Sequence, residues 1–542
     1  MLVLGVGGFM HDYNCCLIDS DTGRVAMAEA ERLSRRKHHA IKPDDDLMVP
    51  IRKVCDDLGV NPRKIAVIAF GHTDPFACKD WFRREFTKAK IVEIDHHLCH
   101  AAGAFFASDI DDALVVSVDG FGDGSSGLIA HGKGNRLEEL VRLDDVNSIG
   151  LEYLRATFHI GLGGYGAEGK TQGLAPYGEP ALFDAYMKEI SVDSSGRVWL
   201  SDRLRSPTSA LSAEGGYMNT QLLTNAFLDD LFPRRILPEP LTGEHKNLAA
   251  TVQKVLERVV GDMVAAGQRL TRADRLVLSG GVSMNSSLNG RLLKSGAFKE
   301  IFTLPMSSDR GIGLGAALHF LHVSEGMPRF FNLKHVFFGA ANDDKAALKA
   351  MQRSGLKIER PSDPVAFAAE ALSQSKILGW VQGRSELGAR ALGHRSILAD
   401  PRKAEMKDII NARVKHREWF RPFAPVSPAE LAAGYFDYPE GVADLGFMTF
   451  TVDAKEEAAL RAPATVHVDR TSRLQTLVKE RDPDLHRLAL LFGDITGVPV
   501  LLNTSFNDKD EPIVETAEEA VRTFLGSDMD VLIIGSVVGT KA

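Results

Sequence analysis

Over the first 130 residues, short apolar runs alternate with glycine-rich or polar turns, a pattern that predicts strands joined by tight connections. Leu2-Val3-Leu4-Gly5-Val6, Asn14-Cys15-Cys16-Leu17-Ile18-Asp19 and Val25-Ala26-Met27-Ala28 read as three strands of an antiparallel meander. Ile51 to Leu58 has helical spacing, Lys64 to Gly71 reads as a buried strand, and Ile91-Val92-Glu93-Ile94 as a short buried strand. Ala113 to Val118 and Ser126 to Ala130 form a hairpin around Gly120, Gly122 and Gly124 that repeats the design of the first.

From Leu248 to Leu270 the apolar positions recur at helical spacing, predicting one long amphipathic helix that feeds a strand at Arg275-Leu276-Val277-Leu278. The turn Ser279-Gly280-Gly281-Val282-Ser283-Met284-Asn285 opens a further helix, and a glycine pair at a helix N-terminus suits a phosphate contact. Gly311-Ile312-Gly313-Leu314-Gly315 opens the next helix. Residues 185–245 are irregular and polar and read as a cap or an acceptor-binding insertion. Two strand–glycine–strand loops followed by alternating helices and strands predict an α/β chain with a duplicated ribonuclease-H-like fold, as in actin-like ATPases. The pattern breaks around residues 323–345, so two domains are expected, 1–340 and 341–542. The second holds strands at Ile377-Leu378-Gly379-Trp380 and Val498 to Asn507.

At 542 residues the chain is too long for a single core. With 44% hydrophobic and 25% charged residues it has the profile of a globular enzyme. A net charge of -8 counts against coating nucleic acid, and no nucleic-acid partner is expected. The five cysteines fall in the first hundred residues without a C-x-x-C pair, which points to reduced thiols and a cytoplasmic location. The apolar N-terminus reads as a strand rather than a signal peptide, and no stretch approaches the length of a membrane span, so no membrane partner is expected.

Asp95-His96-His97-Leu98-Cys99-His100 follows a strand, and a helix starting there puts His96 and His100 on one face at i and i+4. Asp119, at the end of a Val-rich strand, and Asp309 supply two carboxylates. Two histidines with two carboxylates suit iron, manganese or zinc, although such a pair of histidines taken alone more often serves packing or capping than ligation. The charged run Glu29 to His39 reads as a solvated helix end, or as a segment placing Lys37 against a nucleotide phosphate. The Gly161–Gly178 stretch is rich in glycine but lacks the P-loop spacing. Arg384, Arg390, Arg395, Arg402, Arg413, Lys415, Arg417 and Arg421 form a dense block threaded with apolar residues. In an acidic protein this implies phosphate or carboxylate handling, the alternative being a solvated basic face.

Asp95 to Ala101, Glu168 to Gly178, Gly383 to Leu398, Phe420-Arg421-Pro422-Phe423-Ala424-Pro425 and Asn503-Thr504-Ser505-Phe506-Asn507 together resemble the O-carbamoyltransferases of the nodulation, cephalosporin, novobiocin and nebramycin type. The resemblance implies a duplicated actin-like, Kae1-type carbamoyl-transfer domain followed by a YrdC-like domain that forms carbamoyl adenylate. Carbamoyl phosphate would be cleaved to carbamate, carbamate would attack the α-phosphate of ATP, and a hydroxyl of a small-molecule acceptor would then take the carbamoyl group. The acceptor would belong to secondary metabolism, antibiotic biosynthesis included.

The same resemblance implies His96, His100, Asp119 and Asp309 as metal ligands, with Fe2+ expected ahead of Mn or Zn, and His11 as the base for the acceptor hydroxyl. Lys37, Asp119, Gly150, Gly281 and Asn285 match positions that contact ATP or the adenylate. Arg390, Lys415, Arg421, Arg473, Asn503 and Ser505 match the pocket for carbamoyl phosphate and ATP, the latter with Mg2+. Arg473 is chosen by spacing and Arg470 held in reserve. A homodimer is compatible with the chain. The rival readings are a tRNA threonylcarbamoyl synthesis enzyme, disfavoured by the net charge of -8, and an actin-like regulatory ATPase, which leaves the arginine block unexplained.

Overall fold

The computed structural model describes residues 1–42, 44–71, 78–205 and 223–541. Two compact units divide the chain: Met1–Ala30 with His38–Leu333, and Glu31–Lys37 with Lys334–Ala542. The boundary lies at Leu333, shortly before residue 340, and Glu31–Lys37 belongs with the second unit although it lies within the N-terminal region of the sequence.

The first unit is mixed α/β. Strands β1 (Leu2–Gly7), β2 (Asn14–Asp19), β3 (Arg24–Glu29), β4 (Val67–Gly71) and β5 (Lys90–Ile94) form one sheet in the order β3-β2-β1-β4-β5. β1 pairs antiparallel with β2 and parallel with β4. β6 (Asp112–Gly122), β7 (Ser125–Lys133) and β8 (Arg136–Asp144) follow, and a small hairpin joins β9 (Ile190–Val192) to β10 (Val198–Leu200). With β11 (Arg275–Ser279) and β12 (Glu300–Thr303) the second large sheet runs β12-β11-β6-β7-β8. Its strand senses repeat those of the first, with an antiparallel meander β6-β7-β8 and parallel β6-β11-β12. β8 escapes the sequence pattern because it is an edge strand whose charges face solvent. β5 was expected to be buried, and it is instead a half-exposed edge strand.

The helix Ile312–His319 lies against β1 and the helix His96–Ala107. Glycine permits that approach: a Cβ on Gly315 would lie 1.8 Å from the Cys99 carbonyl oxygen, and one on Gly5 would lie 1.8 Å from that of Gly313. Close packing here brings the residue ahead of one helix, Asp309, to the face of the other that carries the histidines. The expected 185–245 insertion begins within the helix Phe183–Lys188 and contains the β9-β10 hairpin and the helix Ala226–Asp229, while residues 206–222 lie outside the described residues.

In the second unit, β13 (Lys357–Glu359), β14 (Leu378–Val381), β15 (Arg395–Ala399) and β16 (Ala424–Pro428) precede a three-stranded sheet of β17 (Phe436–Asp437), β18 (Val452–Ala454) and β19 (Thr471–Ser472). β20 (Gln475–Leu477), β21 (Leu501–Ser505), β22 (Val531–Ile534) and β23 (Val537–Thr540) complete an eight-stranded mixed sheet, β13-β23-β22-β14-β15-β21-β16-β20. Alternation along the strands sorts the two faces. Leu378, Trp380, Val531 and Ile533 pack with Leu372, Leu485 and Phe492, whereas Val381, Leu532 and Ile534 pack with Met351, Val521 and Phe524. The charged run at Glu29–His39 is not a solvated helix end: only Ala30–Ser34 is helical, and Glu31 and Arg32 are buried. Arg32 donates to the Gly388 carbonyl, and Arg35 to those of Pro512 and Ile513.

Candidate metal centre and cationic pocket

In the first unit Asp95 caps the helix His96–Ala107, its Oδ1 accepting from Leu98 N at 3.0 Å while its Oδ2 meets Arg142 at 2.8 Å. His96 and His100 project from one face of that helix, and four ligand atoms from His96, His100, Asp119 and Asp309 lie within 4.8 Å of one another. His100 Nε2 is 2.8 Å from Asp119 Oδ2 and 3.4 Å from Asp309 Oδ1. His96 Nε2 stands 3.1 Å from His100 Nε2 and 3.6 Å from Asp309 Oδ1. Burial opposes charge on His100, but the two carboxylates override it and raise the imidazole to about 9. Burial also pushes Asp119 up, yet His100 and His96 hold it well below the usual carboxylate range. Two imidazole nitrogens and two carboxylate oxygens converging on one point are a donor set that fits a borderline divalent ion.

Gly150 and Gly281 stand against Asp119. A Cβ on Gly150 would lie 2.4 Å from the Asp119 carbonyl oxygen, and one on Gly281 would lie 2.8 Å from Asp119 Oδ1. Asn285 caps the helix Ser286–Lys294 through Leu288 N, and its amide pairs with Gln253 at 2.8 and 3.1 Å. Its side chain is committed to the scaffold, so the backbone at Gly281 is the better placed to meet a ligand. His11 Nε2 lies 3.5 Å from Asp309 Oδ2. Around it stand residues that no motif singled out. Asn14 Nδ2 donates to the Asp309 carbonyl at 2.7 Å, and Asn14 Oδ1 accepts from Gly313 N at 2.8 Å, which fixes the Asp309 turn. Asp12 accepts from Arg310, and Tyr165 reaches both His11 and Asp12.

The second unit sorts the basic block. Arg395 is fully buried and donates to the carbonyls of Gln382, His394 and Ala340 at 2.7–2.8 Å, so it is a scaffold residue. Arg402 is paired with Asp400, and Arg384 donates to the Phe338 carbonyl. Lys415 follows the helical turn Ile410–Val414, is 3% exposed, and donates to Ser505 O, Asn507 O and Asn507 Oδ1 at 2.6–2.7 Å. Burial and the charges of Arg417, Lys37 and Arg421 hold its ammonium well below the ordinary lysine range. Burial, Arg421 and Arg417 lower Arg473 to about 10, and its Nε has no hydrogen-bond partner among the described residues. Arg470 is exposed and paired with Glu456. Asn503 donates to Gln475 Oε1 at 2.9 Å, and Arg390 sits partly buried on the loop that Glu386 ties down through Leu392 N. Arg417, in the block but outside the chosen set, stacks its guanidinium 4.7 Å above the Phe423 ring and donates to Asn411 Oδ1 at 2.7 Å. Asn411 in turn donates to the Arg421 carbonyl at 3.0 Å, so Arg417 helps set Arg421. Arg417 and Arg421 depress both Lys415 and Arg473, while Glu511 acts on Lys415 and Glu418 pairs with Arg421, a balance in favour of cations that a bound anion would relieve.

The molecule is thus a mixed α/β protein with a His/Asp centre on one unit and a cluster of buried cations on the other. Residues 77–318 match the family described as carbamoyltransferase N-terminus, and residues 369–541 match carbamoyltransferase C-terminus. Nodulation protein NolNO of Sinorhizobium fredii is 37% identical, the match covering 98% of this chain and 79% of that protein. Nodulation protein NolO of Bradyrhizobium diazoefficiens is 40% identical over 83% of this chain and 79% of its own length. The 3'-hydroxymethylcephem-O-carbamoyltransferase of Streptomyces clavuligerus is 32% identical over 50% of this chain and 49% of its own. The chain belongs to the carbamoyltransferase family. It is an enzyme, and a carbamoyl donor and an acceptor are its substrates. No helix among the described residues is long and apolar enough to cross a membrane.

Proposed function

We propose that this enzyme is an ATP-dependent O-carbamoyltransferase with a YrdC-like second unit that makes carbamoyl adenylate and a duplicated, actin-like, Kae1-type first unit that passes the carbamoyl group to an acceptor hydroxyl. The observation that supports the reading is the cluster of buried cations Lys415, Arg417, Arg421 and Arg473, which the neighbouring carboxylates Glu418 and Glu511 do not outnumber. Such a cluster suits a small phosphorylated dianion beside a nucleotide triphosphate. Hydrolysis of carbamoyl phosphate there releases phosphate and carbamate. A carbamate oxygen then attacks the α-phosphate of ATP, and the bond to pyrophosphate breaks as preorganised cations take up the developing charge.

In the first unit His96, His100, Asp119 and Asp309 would hold a divalent ion, Fe2+ ahead of Mn or Zn. When bound, it would supply Lewis-acid and templating chemistry to the adenylate phosphate. Gly150 and Gly281 let their backbone stand directly against Asp119, where it would meet the nucleotide. His11 takes the proton of the acceptor hydroxyl as its oxygen bonds to the carbamoyl carbon and AMP departs. The acceptor is a hydroxylated small molecule of secondary metabolism, a reading supported by the names of the nodulation and cephem relatives. The test is pyrophosphate release from ATP that requires carbamoyl phosphate, followed by transfer to a panel of aminosugars, macrolides and a 3'-hydroxymethylcephem. Pyrophosphate release indifferent to carbamoyl phosphate would refute the adenylate route.

A further inference from the structure

His11 is held from behind by a chain of groups that neither the motifs nor the family resemblance assigns. Tyr165 Oη lies 2.6 Å from His11 Nδ1 and 3.2 Å from Asp12 Oδ2, and its ring sits 3.9 Å from the imidazole, centroid to centroid. The side chain of Asp12 is 1% exposed, and its backbone takes the left-handed conformation at φ 63°. A non-glycine residue adopts that backbone only where packing and hydrogen bonds fix it. Asp12 Oδ1 accepts from Arg310 Nη2 at 3.2 Å and faces His38 Nδ1 at 3.0 Å. Its other oxygen, Oδ2, faces Tyr165 and, at 3.3 Å, His11 Nδ1. Burial raises the Asp12 carboxyl, but Arg310 and His38 overcome this and keep it ionised. Burial and the charge of Asp12 push the Tyr165 phenol well above its ordinary value, so it retains its proton.

A phenol has one hydrogen to give. Given to Asp12 Oδ2 it makes a charge-assisted bond, roughly twice as strong as one to a neutral nitrogen. The Tyr165 oxygen must then accept, and the group facing it at 2.6 Å is His11 Nδ1. In the opposite arrangement the phenol donates to Nδ1 and Asp12 Oδ2 loses that donor.

We propose that Tyr165, backed by Asp12, is the positioning residue that keeps the His11 proton on Nδ1, so that Nε2 presents its lone pair to the acceptor hydroxyl. This rests on the reading of His11 as the base of the transfer step. During transfer the hydroxyl proton passes to Nε2, the oxygen bonds to the carbamoyl carbon, and the bond from that carbon to the AMP phosphate oxygen breaks. The imidazolium so formed keeps its Nδ1–H on Tyr165, with the Asp12 charge one bond further back. The logic is that of a nucleophile's histidine oriented by a buried carboxylate, with a phenol inserted between them.

The test uses Tyr165→Phe, which keeps the ring against His11 and removes only the hydroxyl. In 15N-histidine-labelled, zinc-loaded full-length protein, long-range nitrogen–proton correlations show which ring nitrogen carries the proton, and the His11 signals are those lost in His11→Asn. The wild type should show Nδ1–H, and Tyr165→Phe should shift the population toward Nε2–H. Transfer kcat to the best acceptor of the panel should fall ~10–100-fold, short of the roughly 100–10,000-fold expected on losing a base. The acceptor KM should stay within about threefold and pyrophosphate release should be unchanged, since binding and the first half-reaction do not use Nδ1. Combined with His11→Asn, the Phe substitution should cost nothing further. An unaltered His11 tautomer in Tyr165→Phe, or costs that multiply in the double variant, overturns the proposal. If His11→Asn itself transfers normally, the base reading fails, while the spectrum still judges the assignment of Tyr165.

Discussion

Asp482 gives a stability prediction whose sign and size follow from its surroundings. It caps the helix Pro483–Thr496, its Oδ1 accepting from Leu485 N at 3.0 Å. Its Oδ2 is buried without a hydrogen bond among the described residues, and His394 Nε2 is 3.7 Å away. Burial, which outweighs the bond from Leu485, pushes this carboxyl up to about 7. A carboxyl raised on folding stabilises the protein fully below its unfolded value near ~4, and that contribution is lost as pH rises through the folded value. The shift of roughly three units corresponds to about 4 kcal/mol at 1.36 kcal/mol per unit, with little solvent screening at 4% exposure. Asp482→Asn keeps the cap, since Asn and Asp cap equally well, and carries no charge at any pH. The variant should therefore gain on the wild type by about 2–3 kcal/mol between pH 5 and pH 8, after part of the difference has already developed below pH 5. Two units make a single melting transition a poor gauge, so the assay is native-state hydrogen exchange at the amides of Pro483–Thr496 and β14. Titration of groups distant from Asp482 cancels in the difference between variant and wild type. Parallel pH profiles, or a variant less stable at pH 8, would show that the buried oxygen is not carrying the charge.

Three further outcomes concern the two sites. His100→Ala should lose the bound divalent ion, which elemental analysis of the purified protein measures; undiminished metal content sinks the four-ligand centre. Gly150→Ala forces a methyl group into the Asp119 carbonyl, so metal affinity should fall on the order of 10–100-fold in a competition titration while the fold persists. Arg473→Ala should abolish carbamoyl-phosphate-dependent pyrophosphate release yet spare transfer from supplied carbamoyl adenylate, whereas Arg470→Ala should do neither; equal loss of both half-reactions in a folded Arg473→Ala protein refutes a division of labour between sites.

Much of the first unit was legible because its strands are central and apolar. β1, β2, β4 and β6 read directly, as did the long helix, observed at Gly243–Thr271. The edge strand β8 did not, and β5 was found as a strand but with its burial misjudged, because a strand at a sheet edge carries charges that blur its period. The 3-2-1-4-5 order repeated in both large sheets is a property of pairing, and no local pattern encodes it. His96 and His100 could be placed on one face from spacing alone, whereas the approach of Asp309 depends on Gly5, Gly313 and Gly315 letting two helices and a strand touch.

Residue type alone could not sort the arginines. Arg395 and Arg473 are both desolvated cations with lowered values. What separates them is the company of carbonyl oxygens. Arg395 is satisfied by the carbonyls of Gln382, His394 and Ala340, so it has little left to offer a ligand. Arg473 faces Arg421 and Arg417 and keeps a buried N–H without a partner among the described residues. A desolvated cation set among other cations is unfavourable until an anion arrives, and the free energy recovered on its arrival becomes binding energy. The same reasoning applies to Asp12. Its carboxylate is neutralised by Arg310 on one oxygen, and the other is directed through Tyr165 at His11, a use of charge that only the folded chain reveals.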